Sequence, residues 1–487
     1  MSHLIDISAP LLRRPSDGTR SALGRRVLAC RQQTEALVEG LSDADCTVQS
    51  MDDASPAKWH LAHTTWFFEE VVLSAHLPGY QRFDANYAYL FNSYYESLGP
   101  RHPRPRRGML TRPELSDVLA YRWHVDRALA RLLARLDDQL GHRLDDRRGG
   151  RFDEQRGHSR GLRRDADETA AAAAALIELG LQHEQQHQEL LLTDLLHLFA
   201  QNPLRPVYRR PAWAPSEPRA EPEPMRFVAF DAQRIAVGHE GDGFAFDCEG
   251  PRHEVLLAPF ALADRPVSNR EWLHFIDDGG YRSATLWLSD GWQRVCAEGW
   301  GAPLYWEQRD GQWLTMTLHG EQPVDPDAPV CHLSYFEADA FARWAGRRLP
   351  TEFEWEHAAE YQLRAALGDR TCPGANGHAG VAGLTGHFAD SQRYQPEAAR
   401  LGGSGPLWQL FGDVWEWTSS AFSPYPRFRP ASGAIGEYNG KFMCGQFVLR
   451  GGSCATPRDH IRPTYRNFFP PHARWQFSGL RLAEDNQ

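Results

Sequence analysis

The stretch His183-Glu184-Gln185-Gln186-His187-Gln188-Glu189 decides how the N-terminal part of this chain folds. It follows the alanine run at residues 170–175 and leads into three leucines at residues 190–192, a composition that strongly favours an α-helix. On a helix, His183 and His187 project from the same face, with Cβ atoms about 6 Å apart. Two imidazoles at this spacing can bind one metal ion.

A second pair of histidines lies upstream, in the stretch Trp59-His60-Leu61-Ala62-His63, within another helical pattern. This stretch can supply a third ligand. Three neutral imidazoles leave half of an octahedral coordination sphere open for substrate and dioxygen, which suits non-haem Fe(II) better than a structural metal. The sequence therefore predicts a metal centre built on two helices.

The first 200 residues predict a helical bundle. Apolar residues recur about every 3.6 positions in four segments, at residues 25–41, 57–75, 114–140 and 168–200. Asp165 or Asp167 is positioned to cap the last segment. Residues 143–164 are charged and contain glycine, which predicts a solvated loop. Ligands on facing helices are a recurrent way to build a metal site in a bundle, so we expect the two histidine stretches to meet.

The composition changes in the second half of the chain. Proline recurs throughout residues 202–224, which predicts a stiff extended linker. Strands are predicted at residues 226–237 and 253–262, and helices at residues 269–278, 335–345 and 352–361. We therefore predict a bundle, a linker and an α+β domain, at residues 20–202, 203–225 and 226–485.

Length and charge narrow the class of protein. The 487 residues are too many for one core, and a net charge of −10 argues against a nucleic-acid partner. No apolar run approaches the roughly 20 residues of a membrane span, and the N-terminus lacks the basic segment and apolar core of a signal peptide. We expect a cytoplasmic protein with no membrane partner. Its eight scattered cysteines, none in a CxxC motif, are expected to be reduced.

Several motifs resemble known families. Residues 411–418 are Phe-Gly-Asp-Val-Trp-Glu-Trp-Thr, residues 449–453 are Leu-Arg-Gly-Gly-Ser, and residues 479–481 are Gly-Leu-Arg. With residues 346–356 and 266–269, they resemble the formylglycine-generating-enzyme (sulfatase-modifying-factor) domain, which has a C-type-lectin-like fold. The N-terminal half resembles a DinB-like four-helix bundle. The resemblance implies a multidomain α and α+β protein, and the two halves together resemble the sulfoxide synthases of ergothioneine biosynthesis.

That resemblance implies an enzyme with a specific reaction. Hercynine and a thiol bind at Fe(II), dioxygen takes the open position, the sulfur becomes a sulfoxide, and a C–S bond forms at C2 of the hercynine imidazole. The implied metal ligands are His63, His183 and His187. His60 is then not a ligand, and we expect it to orient another group.

The resemblance also implies two catalytic tyrosines. Tyr94 and Tyr95 lie in the polar, aromatic stretch Asn92-Ser93-Tyr94-Tyr95-Glu96. In the cysteine-using branch of the family, a tyrosine pair at this place donates a proton or a hydrogen bond during the reaction with oxygen. A phenol suits this role because its ordinary pKa of about 10 keeps it protonated at neutral pH. Spacing does not distinguish the two tyrosines.

Four further residues are implied to bind hercynine. Gln186 would hydrogen-bond to it, and Asn467 would contact its carboxylate. Trp415 and Phe468 would offer aromatic faces to its quaternary ammonium group.

The thiol is expected to be free cysteine. Relatives that use γ-glutamylcysteine carry Asp two residues after the matching Asn and Arg six residues after it, whereas this chain has Phe469 and Ala473. The charged clamp for the γ-glutamyl arm is therefore missing, although γ-glutamylcysteine stays a candidate. The arginines of the loop that follows the tyrosines could bind a substrate carboxylate; they are Arg101, Arg104, Arg106 and Arg107, of which we name Arg104 and Arg106 as candidates.

Three other functions are compatible with the same motifs. One is a synthase that joins hercynine to a selenium donor through the same metal site. Another is a non-catalytic protein of DinB-like and lectin-like modules that binds a metal or ligand. A third is a zinc-dependent, thiol-using transferase, which would consume no oxygen.

Overall fold

The computed structural model describes residues 21–148, 157–211, 213, 224–366, 384–399 and 405–486, with the backbone alone at 139–148 and 157–167. Contacts between Cα atoms divide the chain into two compact units. We call them the helical unit, residues 1–39, 61–92 and 112–184, and the mixed unit, residues 40–60, 93–111 and 185–487. Two of the boundaries between the units fall inside helices, at residues 60/61 and 184/185. Each of these two helices therefore belongs partly to one unit and partly to the other.

Helices account for most of the first 201 residues. They are α1 (Ala22–Ala36), α2 (Asp43–Thr47), α3 (Ala57–Phe67), α4 (Ser74–His76), α5 (Tyr87–Leu90), α6 (Leu115–Arg148) and α7 (Gly157–Gln201). The four predicted helices correspond to α1, to α3 with its continuation into α4, to α6 and to α7. A π-helical segment, Phe68–Leu73, joins α3 to α4 and buries Glu69, which accepts hydrogen bonds from the Tyr80 and Tyr121 hydroxyls.

The prediction of a loop at residues 143–164 is wrong at both ends of this segment, which are helical. α6 continues to Arg148 and α7 begins at Gly157, while residues 149–156 lie outside the described residues. Arginine, a good helix former, is the commonest residue in both extensions, and helix propensity prevails over the charge that suggested a loop. Asp165 and Asp167 therefore lie inside α7 and do not cap it.

The core of the helical unit contains a buried ion cluster as well as apolar side chains. Arg31 and Arg122, which are 1% and 0% exposed, donate to opposite oxygens of Glu184 at 2.9 and 2.8 Å. Arg31 also pairs with Asp126 at 2.6 Å. Because buried charges need partners, this cluster fixes α7 against α1 and α6 at one register.

The mixed unit contains the strands. They are β1 (Phe227–Phe230), β2 (Gln233–Val237), β3 (His253–Leu257), β4 (Phe260–Ala263), β5 (Trp306–Arg309), β6 (Gln312–Thr317), β7 (Gly320–Pro323), β8 (Trp415–Ala421), β9 (Phe447–Arg450), β10 (Asn467–Phe469), β11 (Ser478–Gly479) and β12 (Ala483–Asp485). Its remaining helices are α8 (Asn269–Asp277), α9 (Ser289–Glu298), α10 (Tyr335–Trp344) and α11 (Glu352–Ala366). Each predicted strand segment is split into two strands by a short turn, and the three predicted helices correspond to α8, α10 and α11.

The sheets of the mixed unit are small. The central one has four strands in the order β10-β9-β8-β11, in which β8 pairs antiparallel with β9 and parallel with β11. A second sheet has the order β1-β4-β12, and β2-β3 and β5-β6-β7 form two more. Two buried ion pairs hold these elements together. Arg481, between β11 and β12, donates to Glu416 of β8, and Arg450 of β9 donates to Glu356 of α11.

The predicted linker at residues 202–224 lies partly outside the described residues, which omit 212 and 214–223. In the described part of the chain, none of the helices has both the length and the apolar character that a membrane span requires.

Candidate metal centre

Three histidines lie close together. His63 is on α3, and His183 and His187 are one turn apart on α7. Each offers one ring nitrogen, and these nitrogens lie within 4.8 Å of one another. Metal–nitrogen bonds of about 2.1 Å place neighbouring ligand atoms roughly 3 Å apart, so small ring rotations suffice for all three to bind one ion. The residues fit a metal ion with an uncharged, all-nitrogen ligand set.

A backbone hydrogen bond holds the His63 ring. His63 is fully buried, and its Nδ1 lies 2.6 Å from the carbonyl oxygen of Phe91. A carbonyl can only accept, so Nδ1 carries the proton and Nε2 presents a lone pair. The ring also stacks on Trp66 at 5.6 Å. His63 is thus held in the tautomer that a metal ligand needs.

His183 is held by packing against aromatic rings. Its ring meets His63 edge-on at 4.9 Å and lies 4.9 Å from Phe67. Burial lowers the pKa of His183 to about 3, because the site disfavours the charged imidazolium. The side chain is therefore neutral at physiological pH, which is the form that binds metals.

His187 is held by polar contacts. Its Nδ1 lies 2.8 Å from Nδ1 of His60, and Nε2 of His60 lies 3.0 Å from Oδ2 of Asp194. The Trp59 ring is 6.2 Å from the His187 ring. Both ring nitrogens of His60 are engaged in these hydrogen bonds, so the structure places His63, and not His60, with the His183–His187 pair.

Gln186, next to His187, joins two buried tyrosines. Its Oε1 accepts a hydrogen bond from the Tyr438 hydroxyl, and its Nε2 donates to the Tyr465 hydroxyl at 2.7 Å. His460 Nε2 lies 3.0 Å from the same Tyr465 oxygen. Burial raises the pKa of both tyrosines, so their hydroxyls keep their protons. These partners fix the amide plane of Gln186.

The predicted catalytic tyrosines reach this network through Tyr438. The rings of Tyr94 and Tyr95 stack at 4.8 Å, and the Tyr94 ring meets the Tyr438 ring edge-on at 6.4 Å. Tyr95 is fully buried, and burial raises the pKa of both phenols. Both therefore hold their protons at neutral pH.

The residues predicted to bind hercynine lie on two sides of this network. Trp415 is 2% exposed, lies 5.4 Å from the Tyr465 ring, and donates its indole N–H to Glu189 at 2.8 Å. Phe468 stacks on Phe422 at 4.1 Å and on Phe442, whose ring in turn meets Tyr94. The Oδ1 atom of Asn467 accepts the backbone N–H of Phe468 at 2.9 Å.

The structure does not bring Arg104 and Arg106 into this network, because both are exposed. Arg107 is the buried arginine of the loop, 3% exposed. Its guanidinium lies 3.4 Å from the centre of the Trp59 ring and donates to the hydroxyls of Ser55 at 2.9 Å and Ser93 at 3.2 Å. Burial, with the neighbouring Arg104 and Arg101, holds the pKa of Arg107 well below its usual range. Among the described residues, no carboxylate lies within ion-pair distance of it.

The sequence reasoning missed Asp194, Tyr438 and Tyr465 as parts of this site. Asp194 had a usable signal, since it lies two helical turns after His187 and therefore on the same face of α7. Tyr438 and Tyr465 had none, because only the folded mixed unit brings them to Gln186.

Comparison with known proteins agrees with this organisation. Residues 26–191 match the DinB superfamily, and residues 217–486 match the sulfatase-modifying factor enzyme 1-like domain. These matches confirm the predicted fold class, a DinB-like bundle followed by a formylglycine-generating-enzyme-like domain.

Three relatives carry the same name. The chain is 33% identical to the hercynine oxygenase of Mycolicibacterium thermoresistibile over 96% of this chain and 95% of that protein. It is 37% identical to the hercynine oxygenase of Mycobacterium tuberculosis over 63% of this chain and 70% of that protein. It is 40% identical to that of Mycolicibacterium smegmatis over 50% of this chain and 56% of that protein.

Proposed function

Because the chain belongs to the hercynine oxygenase family, we propose that it is a non-haem Fe(II), dioxygen-dependent sulfoxide synthase of ergothioneine biosynthesis. It joins C2 of the hercynine imidazole to the sulfur of a cysteine-type thiol. The observation that carries the proposal is the set of three ring nitrogens, from His63, His183 and His187, within 4.8 Å of one another.

The ligand set suits iron in this reaction. Three neutral imidazoles add no negative charge and leave coordination positions for substrates. Bound Fe(II) supplies the one-electron chemistry that activates dioxygen, and it brings imidazole and thiol together at one centre. The protein residues keep the ligands neutral and correctly oriented, through the Phe91 carbonyl on His63 and the burial of His183.

Tyr94 and Tyr95 are the proposed proton donors. Their raised pKa values keep both hydroxyls protonated until the reaction with oxygen demands a proton. Lys441 contributes to holding the pair in place, since its ammonium group lies 5.0 Å from the centre of the Tyr94 ring and donates to the Tyr94 carbonyl.

Gln186 is the proposed hydrogen-bond donor to hercynine. Its Nε2 atom carries two protons, and Tyr465 accepts one of them. The aromatic groups around it, which include Trp415 and Tyr465, suit a quaternary ammonium ion because their faces attract cations. Phe468 and Asn467, beside Phe442, are the proposed contacts for the rest of hercynine.

Free cysteine is the proposed thiol. Ala473 is fully buried and Phe469 packs against Trp475 at 6.0 Å, so the two positions that hold charges in users of γ-glutamylcysteine are apolar here. Arg107 is the proposed partner of the cysteine carboxylate, in place of Arg104 and Arg106. It is a buried cation held by hydroxyl groups, and it lies over Trp59, which contacts the His187 ring.

An oxygen-pulse experiment tests the function. The protein is incubated without oxygen with Fe(II), hercynine and a thiol, then exposed to air, and the sulfoxide is measured by mass spectrometry. Parallel arms offer cysteine, γ-glutamylcysteine and a selenosugar, and a zinc-loaded sample is the control. We expect oxygen-dependent product with iron and cysteine and none with zinc. Product with zinc, or no product with any donor, would contradict the proposal.

The Arg107→Met variant tests the carboxylate site. We expect kcat/KM for cysteine to fall by roughly 10- to 100-fold, as expected when a charged hydrogen bond of about 1.5–3 kcal/mol is lost. Arg106→Met, a matched change at an exposed arginine of the same loop, should leave kcat/KM within about twofold. Equal losses in the two variants would argue against Arg107 as the partner.

A further inference from the structure

A chain of three buried side chains leads away from the candidate metal centre. It runs from Nδ1 of His187 to Nδ1 of His60 over 2.8 Å, and from Nε2 of His60 to Oδ2 of Asp194 over 3.0 Å. His187, His60 and Asp194 are 8%, 2% and 6% exposed. All three belong to the mixed unit, so their geometry is set within one compact part of the molecule.

Only one arrangement of protons satisfies this chain of neutral imidazoles. The Asp194 carboxylate can only accept, so Nε2 of His60 must carry a proton. A neutral imidazole carries one proton, which leaves Nδ1 of His60 as an acceptor. The facing atom, Nδ1 of His187, must then be the donor, and its proton leaves a lone pair on Nε2 of His187.

We propose that His60 and Asp194 are positioning residues that lock His187 in its Nδ1–H tautomer before any metal binds. The lock presents the Nε2 lone pair of His187 to the metal centre, as the Phe91 carbonyl does for His63. The inference rests on the proposed metal centre for its purpose, but the tautomer itself is a property of the metal-free protein.

The far end of the chain is also anchored. The oxygen of Asp194 that accepts from His60 also accepts the backbone N–H of Ser55 at 2.8 Å. The Ser55 hydroxyl in turn accepts from Arg107 at 2.9 Å. Asp194 cannot turn away from His60 without leaving a buried N–H unsatisfied, which costs about 1–3 kcal/mol. The orientation of Asp194, and with it the proton order, is therefore fixed by the fold.

The first measurement uses the metal-free protein. Histidine labelled with ¹⁵N is observed by two-bond ¹H–¹⁵N correlation NMR at pH 8, well above the ordinary imidazole pKa of about 6.5, and the His187 signals are assigned from their loss in His187→Gln. We expect a protonated Nδ1 and an unprotonated Nε2 in His187. The opposite tautomer, or a mixture of the two, would overturn the proposal.

The second measurement uses Co(II) alone as a spectroscopic probe of affinity. His60→Phe should weaken Co(II) binding by roughly 10- to 100-fold, as is typical when a group that orients a ligand is lost. Asp194→Leu should do the same, whereas Asp194→Asn keeps an acceptor oxygen and should retain most of the affinity and the His187 tautomer. His197→Phe is the matched control, because it makes the same change on α7, where His197 bonds to Ser50 at 2.7 Å.

The outcomes separate this inference from the metal centre itself. Failure of the wild-type protein to bind Co(II) would overturn the metal centre, while the tautomer in the metal-free protein would still be measured. Normal Co(II) affinity in a folded His60→Phe variant would overturn the positioning role. If His60→Phe does not fold, equal tautomers and affinities in Asp194→Leu and wild type would overturn it as well.

Discussion

Two buried glutamates on α7 show how the same side chain is held in two different ways. Glu184 lies in the helical unit and accepts from two guanidinium groups, those of Arg31 and Arg122, at 2.9 and 2.8 Å. Glu189, little more than one turn later in the mixed unit, accepts from three neutral donors, which are Trp415 at 2.8 Å, Ser453 at 2.5 Å and Thr456 at 2.7 Å.

The difference in partners gives opposite pKa shifts. Burial acts to raise the pKa of Glu184, but Arg31 and Arg122 prevail and lower it to about 2. For Glu189, burial prevails over its three hydrogen bonds and raises the pKa. Burial alone therefore does not set the charge of a carboxyl group; the charge of its partners decides. We call Glu184 with its two arginines the charged anchor of α7, directly after His183, and Glu189 with its three neutral donors the neutral anchor, two residues after His187.

The largest effect on stability is expected from removing the negative charge of Glu184 at the charged anchor. Glu184→Gln leaves two buried guanidinium groups without their shared carboxylate, and we expect the free energy of unfolding to fall by about 3–5 kcal/mol. Glu189→Gln, the matched change, breaks no ion pair and should cost about 1 kcal/mol or less. Urea denaturation of the metal-free variants measures both. Equal losses would show that the two anchors do not differ.

The next largest effect on stability is expected from removing Trp415, one of the three hydrogen-bond donors to Glu189. Trp415→Phe removes the indole N–H that Glu189 accepts and leaves a small cavity, so we expect a loss of about 2 kcal/mol in unfolding free energy. In a Glu189→Ala background the loss should be smaller, because the acceptor of the indole N–H has been removed. A double-mutant cycle measures this coupling, and a coupling energy of zero would contradict a direct Trp415–Glu189 interaction.

The pH dependence should have opposite signs at the two anchors. A lowered pKa means that Glu184 stabilises the fold above its ordinary pKa of about 4.5 and that this stability is lost as the pH falls toward 2. The destabilisation by Glu184→Gln should therefore shrink by roughly 1 kcal/mol between pH 6 and pH 4. The raised pKa of Glu189 gives stability that is present at low pH and is lost as the pH rises, so Glu189→Gln should become relatively more stable toward pH 6. Urea denaturation of both metal-free variants at a series of pH values measures this dependence. If the stability of the two variants relative to wild type changed with pH in the same direction, the prediction would be wrong.

The smallest effect is expected at Glu437, a carboxylate that is only partly buried. Glu437 accepts the backbone N–H groups of Glu96 and Ser97 and pairs with Lys441, and although burial opposes them, these contacts lower its pKa to about 2. Solvent screening keeps such pairs weak, so Glu437→Gln should change the unfolding free energy by less than about 0.5 kcal/mol. Thermal unfolding at low and high salt measures it. A loss of unfolding free energy as large as that of Glu184→Gln would show that solvent screening does not weaken the contacts of Glu437.

The sequence predicted best what depends on spacing along one helix. The separation of His183 and His187 was sufficient to place them on one face, and α7 has them one turn apart. His60 and His63 were harder to separate, because they are three residues apart on α3 and both face inward. The choice between them depends on Asp194 and on the Phe91 carbonyl, which come from other parts of the chain.

The arginine loop shows why other site residues could not be predicted from the sequence. Arg104, Arg106 and Arg107 are near neighbours in sequence, and composition gives no reason to prefer one. The segment forms a 3-10 helix, Arg104–Met109, which turns Arg107 alone toward Ser55 and Trp59. The Trp415–Glu189 hydrogen bond joins residues 226 positions apart, and no local pattern encodes such a pairing. The sequence therefore predicts helices and strands better than it predicts polar contacts between distant residues.

The π-helical segment Phe68–Leu73 has a consequence for comparing this chain with its relatives. Its hydrogen bonds span one residue more than those of an α-helix, so the segment accommodates one extra amino acid without ending the helix. A relative with a regular helix here would need a single-residue gap in any alignment. Deleting one residue from the segment would turn everything that follows by about a quarter of a revolution and move Glu69 away from its tyrosine partners.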